Sequence, residues 1–104
     1  MKYKSLKSMN TDVFNLIVLS RDGIVFEDSV SSISSYNATG RFDVLAQHAN
    51  FISLINKEII VRDKNQKETK FEITNALIKV IQNNVKIYLG IDWFTNVNKQ
   101  GTLS

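Results

Sequence analysis

The chain has 104 residues, enough for one domain with a single hydrophobic core. Hydrophobic residues make up 43% and charged residues 22%, the balance of a folded globular domain rather than a disordered chain. The absence of Cys excludes disulfides, thiolate nucleophiles and Cys-ligated metal centres, and the single His48 excludes a histidine cage within one chain. The net charge of +3 is carried by Lys2, Lys4 and Lys7 in residues 1–11, so residues 12–104 are neutral overall. We expect 1–11 to be a flexible basic tail, 12–90 to be the folded domain and 91–104 to be a short extension. The longest apolar run, Leu16 to Leu19, is far shorter than the ~20 residues of a membrane helix. No signal-peptide pattern follows Met1, so a cytoplasmic location is expected.

Ile, Val and Thr account for 27 of the 104 residues, which favours strands. Residues 13–19 are apolar except for Asn15 and read as a strand. Arg21-Asp22-Gly23 reads as a hairpin turn, with Gly23 at positive φ, leading into Ile24–Phe26. Ile24, Phe26 and Val30 share a parity that Ile33 breaks, which predicts a bulge between Asp28 and Ile33. Asn37-Ala38-Thr39 has the glycosylation pattern and is read as a loop. The only helical candidate is 44–55, where Leu45, His48, Ala49, Ile52 and Ile55 have helix-like spacing. Leu45-Ala46-Gln47-His48 there would form one turn.

Further along, Asp63-Lys64-Asn65-Gln66 is a turn between strands at 58–62 and 67–74. Ala76, Ile78 and Val80 interleave with Leu77, Lys79 and Ile81, so this strand is expected to be covered over most of its length. Asn83-Asn84 is expected to connect it to 85–90, where Val85, Ile87 and Leu89 alternate with Lys86 and Tyr88. Many short strands at hairpin spacing predict an all-β flattened sandwich or barrel, mostly antiparallel, with at most one helical turn near 45–49.

Residues 15–90 resemble the N-terminal domain of the epsilon subunit of F-type ATP synthases, called delta in mitochondria. The resemblance starts with Leu16-Ile17-Val18-Leu19-Ser20-Arg21-Asp22-Gly23-Ile24-Val25-Phe26, a strand, a polar turn and a second strand. It is most specific in the segment Gly40-Arg41-Phe42-Asp43-Val44-Leu45-Ala46-Gln47-His48-Ala49-Asn50. The family pattern there is Gly-x-Phe/Leu-Gly-hydrophobic-x-Pro-Gly-His-Ala-Pro, matched at Gly40, Phe42, Val44, His48 and Ala49. Residues 71–80 followed by 83–89 resemble the family's closing hairpin. Ala46 and Asn50 replace the two prolines of the signature, and Asp43 and Gln47 replace two of its glycines. Asn75-Ala76 replaces a Gly pair before the hairpin.

The resemblance implies a non-catalytic rotor component of the central stalk, gripping the gamma subunit and the c-ring and peripheral to the inner face of the cell membrane. It implies a partner interface through Ser20, Gly40, Arg41, Phe42, His48 and Ala49. Ser20 would face gamma, His48 and Ala49 would lie near the stalk and c-ring contacts, and Arg41 would stand where an acid is common. The competing readings are a hydrogen-bonded structural histidine at His48, core packing for Phe42 and Phe51, a backbone role for Gly40 and a solvated Arg41. Family members continue into a C-terminal helical hairpin of at least about 24 residues. Only 14 residues follow Gly90, so hairpin-mediated inhibition and the hairpin's ATP site are expected to be missing.

Three other classes each fit part of the sequence. Asp43, His48 and Ser53 are the residue types of a nucleophilic triad, but no G-x-S-x-G elbow accompanies them. Tyr3, Tyr36 and Tyr88 suit a single-strand nucleic-acid platform, but acids and bases alternate along the body. The third is a sandwich repurposed as a protein-interaction module, with Trp93 and Phe94 either capping the core or anchoring a partner. Nothing in the sequence gives reason to expect a metal or small-molecule cofactor.

Overall fold

The computed structural model describes residues 12–90, all strand and turn. The tail 1–11 and the extension 91–104, with Trp93 and Phe94, lie outside the described residues. Six strands follow one another: β1 (Phe14–Ser20), β2 (Gly23–Asn37), β3 (Gly40–Leu45), β4 (Phe51–Asp63), β5 (Glu68–Ile81) and β6 (Asn84–Leu89). Their order is β1-β6-β5-β4-β2-β3, and β1 also pairs with β2. Five strands therefore close into a flattened ring, with β3 added to the far half of β2. All pairings are antiparallel except β1 with β6. Closure pairs most of the strand edges, leaving the first half of β2 beside β1 alone and the first half of β5 beside β4 alone.

The ring closes because β2 changes partner midway. Its first half pairs with β1 as far as Phe14↔Val30, and its second half pairs with β3 and β4. The handover is the predicted bulge. The β2–β4 register slips between Val30 and Ser32, and the Ser31 hydroxyl donates to the carbonyls of Arg62 (3.1 Å) and Asp63 (3.0 Å). This extra residue lets both Val30 and Ile33 face inward.

The core is aliphatic and built from alternate residues: Leu16 and Val18, Val30 and Ile33, Ile55, Ile59 and Val61, Ala76, Ile78 and Val80, Val85 and Ile87. Phe26 and Phe71 close one part of it edge-to-face, with centroids 5.4 Å apart. Among the described residues the two buried polar side chains are satisfied: Ser34 donates to Asp43 (2.6 Å) and Ser35 to the Glu58 carbonyl (2.7 Å).

Three expectations change. Residues 44–55 are not helical: Val44 and Leu45 end β3, a turn follows, and β4 already begins at Phe51. The helix-like spacing loses to sheet pairing, since Phe51, Ser53 and Ile55 lie opposite Val80, Ile78 and Ala76. The β4 strand expected at 58–62 thus starts earlier and is 13 residues long. The β5–β6 connection is Gln82-Asn83 rather than Asn83-Asn84, because Ile81 pairs with Asn84 and Gln82 takes the positive φ of 55°. The 63–66 turn forms as expected, with the Asp63 carboxylate accepting from the amides of Asn65 (2.8 Å) and Lys67 (2.9 Å).

Candidate functional site

The signature segment is positioned by the β2–β3 hairpin. Ala38 and Thr39 form its two-residue loop, and Asn37 Oδ1 accepts from the Thr39 amide (2.9 Å) and hydroxyl (2.8 Å). Gly40 has φ 121°, and a Cβ there would meet nothing within 4 Å. Its requirement is therefore the backbone angle, not close packing. Arg41 is exposed and lies 3.8 Å from Asp43, whose carboxylate also receives the buried Ser34 hydroxyl. Asp43 stands at a family glycine, so this chain anchors both Ser34 and Arg41 through a side chain the family pattern does not provide.

The chain reverses at 45–48, where the His48 amide donates to the Leu45 carbonyl (3.1 Å) and Gln47 has φ 68°. A positive φ at the third position is the requirement of a type II turn, which favours Pro then Gly at its centre. The family's Pro-Gly has a plain physical reason here, and Ala46-Gln47 adopts the same turn without either residue. The reversal brings the exposed His48 ring to Phe51 (5.3 Å between centroids), which also meets Phe42 edge-on at 5.8 Å. Asn50, at the second family proline, accepts the Gln82 amide at 2.6 Å and ties this loop to the β5–β6 turn.

Gly40, Arg41, Phe42, His48 and Ala49 thus lie along one strand and its exit loop, with Phe42 half-buried and the others exposed. Ser20 is apart from them. It sits at the far end of β1 from Asn15, whose neighbour Asn84 adjoins the turn held by Asn50. The separation is about 17 Å of extended strand. The Ser20 hydroxyl accepts the Asp22 amide (3.1 Å) and points to the Gly23 carbonyl (3.4 Å), capping its own hairpin.

The triad types do not converge. Asp43 is held by Ser34 and Arg41, Ser53 bonds the Leu54 carbonyl and Asn37, and the His48 ring makes no hydrogen bond among the described residues. Tyr36 lies under Lys57 Nζ (4.9 Å) rather than open to a base. Among the described residues no group of three or more His, Asp or Glu side chains is placed to hold a metal ion. Among the described residues no helix is long and apolar enough to cross a membrane.

Sequence reasoning missed a surface. Residues opposite one another on paired strands share a face, so the registers write out the outer side of β4-β5-β6-β1. One row is Leu54, Leu77, Tyr88 and Leu19, continued by Ile24 on β2; the next is Ile52, Lys79, Lys86 and Ile17. Ile81 lies beside Asn84 and Asn15 in the third. Among the described residues, four of the six large apolar side chains that stand exposed are on this face: Ile24 (56%), Ile52 (61%), Leu54 (63%) and Ile81 (44%). β5, expected to be covered over most of its length, is therefore covered on its inner side only. The signal was present in the doubly apolar runs 13–19 and 76–81, which promise a cover on both faces. Nothing among the described residues supplies the outer one.

An all-β domain whose described residues leave an apolar sheet face uncovered presents the kind of surface on which protein partners dock. The comparisons specify the family. Residues 13–89 match the family model for the "ATP synthase, Delta/Epsilon chain, beta-sandwich domain", and the chain belongs to that family. It is 30% identical over 94 residues to the ATP synthase epsilon chain of Campylobacter concisus, covering 89% of this chain and 73% of that one. It is 30% identical over 74 residues to the epsilon chain of Endomicrobium trichonymphae, covering 71% and 54%. The chain spans about half the length of several curated relatives it matches. A chain of the Euglena gracilis mitochondrial ATP synthase shares the fold with TM-score 0.70 and 18% identity, over 75% of this chain and 51% of that one. A central-stalk/c-ring structure from Tetrahymena thermophila gives TM-score 0.63 at 10% identity, over 72% and 61%.

Proposed function

We propose that this chain is a non-catalytic central-stalk subunit of an F-type proton-translocating ATP synthase, linking the gamma subunit to the c-ring. The observation that carries the proposal is the family match across residues 13–89. The physical properties agree with such a role. A ring of paired strands around a packed aliphatic core resists shear, as torque transfer requires. The uncovered face gives a partner a broad apolar surface. We assign this face and Ser20 to gamma, and Gly40, Arg41, Phe42, His48 and Ala49 to the stalk and c-ring side. The chain then meets the membrane's inner face only through the complex.

The test is purification from native cells through a C-terminal tag in mild detergent. Recovery of gamma, alpha and beta subunits supports the proposal. Recovery of none, from cells containing an assembled synthase, overturns it. The apolar face serves equally a sandwich repurposed for another partner, and the proteins recovered would then define that role. Within the proposal Arg41, standing where an acid is common, meets an acid on the c-ring loops. Arg41→Glu then weakens c-ring binding, and undiminished binding would sink that contact.

A further inference from the structure

The uncovered face is not uniformly apolar. At its centre Lys79 and Lys86 are direct cross-strand partners, with Ile52 beyond one and Ile17 beyond the other. Paired positions place Cβ atoms about 5 Å apart, and like charges so placed repel. Neither lysine has an ion pair among the described residues, whose three salt bridges all lie elsewhere. The rows above and below contribute Ile81, Asn84 and Asn15, and Leu77, Tyr88 and Leu19, with no carboxylate. The one acid in the lysine row is Glu27, opposite Ile17 and two strands from Lys86, about 10 Å away.

An apolar surface laid over this face would desolvate two ammonium groups with no counter-charge, which strongly opposes binding. The cover must therefore bring the acid. We infer that the outer face of β4-β5-β6-β1 docks a protein surface that is apolar but carries at least one carboxylate seated between Lys79 and Lys86. The inference rests on the central-stalk reading for its choice of partner, the gamma subunit. A second copy of this chain does not fit, since a two-fold axis near the lysines gathers four ammonium groups. A lipid surface fits poorly too, because the two charges stand in the middle of the apolar rows rather than at their rim, where headgroups would meet them.

The experiment measures affinity for the purified gamma subunit of the same synthase. It compares the wild type, the Lys79→Glu/Lys86→Glu and Lys79→Gln/Lys86→Gln doubles, and Lys64→Glu in the distant 63–66 turn as a charge control. Thermal melts establish that each variant is folded. The expected result is at least a ~10-fold weakening for the reversal, a smaller one for the glutamines and no change for Lys64→Glu. Carbodiimide coupling of the wild-type complex should join Lys79 or Lys86 to an Asp or Glu of gamma, identified by mass spectrometry. Equal binding by the folded reversal variant, or coupling that bypasses both lysines, overturns the inference and leaves the stalk role standing. A wild type that neither binds gamma nor co-purifies with the synthase overturns both. Reversal-sensitive binding to phosphatidylglycerol vesicles without gamma binding, or a dimer in sedimentation, replaces the acidic protein partner with lipid or with a second copy.

Discussion

The final stretch of β5, Ala76 to Ile81, is apolar on both faces apart from Lys79, and the two faces have opposite fates. Ala76, Ile78 and Val80 are at most 1% exposed, whereas Ile81 on the other face is 44% exposed and Leu77 and Lys79 are half-buried. The inner residues meet side chains of β1, β2, β4 and β6; the outer ones meet only their neighbours in the sheet. Burial inside fixes the fold, and apolarity outside is left uncovered. The same division runs along β6 and β1, so it belongs to the sheet and not to one strand.

The comparison can be broken most severely from inside. Ile78→Ala removes a fully buried side chain and leaves a cavity, and denaturant unfolding should show a loss of about 2–5 kcal/mol. A loss below about 1 kcal/mol would mean the core is looser than its burial indicates. Leu54→Asp, on the outer face, should leave stability within about 0.5 kcal/mol while weakening gamma binding by ~10-fold, about 1.4 kcal/mol. If it instead unfolds the domain, the outer face belongs to the core and the contrast fails.

A third substitution separates backbone strain from packing. Gln47 holds a left-handed φ that only glycine adopts freely. Gln47→Gly should stabilise by up to about 1 kcal/mol, raising Tm by about 4–8 °C in a domain of this size. An unchanged or lower Tm would show that the Gln47 side chain contributes something the turn geometry does not reveal.

The smallest effect concerns a pair in the far half of β4 and β5, beyond the apolar rows, with Lys70 exposed and Glu58 half-buried. Lys70 Nζ lies 3.1 Å from Glu58 Oε1, and this hydrogen bond and charge raise the Lys70 pKa above the ordinary lysine value. A raised folded-state value stabilises below the ordinary one and loses that contribution as pH rises through the raised one. Lys70→Met should therefore lower Tm slightly at neutral pH and make no difference in strong alkali. A difference that persists there would point to the lysine stem, not its charge.

Much of the fold was legible because it is written locally. The Arg21-Asp22 turn with Gly23 at positive φ, the Asp63 turn and the Ser31 bulge each follow from a residue type or a break in parity. The errors arose where a local signal met a nonlocal competitor. Leu45, His48, Ile52 and Ile55 are spaced like a helix face, but pairing with β5 claimed the segment from Phe51 onward. The hairpin connection moved one residue because the pairing of Ile81 with Asn84 set the register, and the Asn50 side chain, 32 residues away in sequence, holds the Gln82 amide.

For the site, the signature residues were legible as residues but not as a place. Sequence spacing could not tell that Ser20 caps its own hairpin a strand's length from the others. Nor could it tell that Asp43 binds both the buried Ser34 hydroxyl and Arg41.

By itself the sequence determined the strand alternation, the turns and the all-β class, because period-two burial and turn chemistry act over a few residues. Only the tertiary structure decided which side of each doubly apolar strand is covered. That depends on ring closure, which brings β1 against β6 from opposite ends of the domain and spends the chain's own apolar surface on the interior. It is also what sets Lys79 beside Lys86 on the side left open.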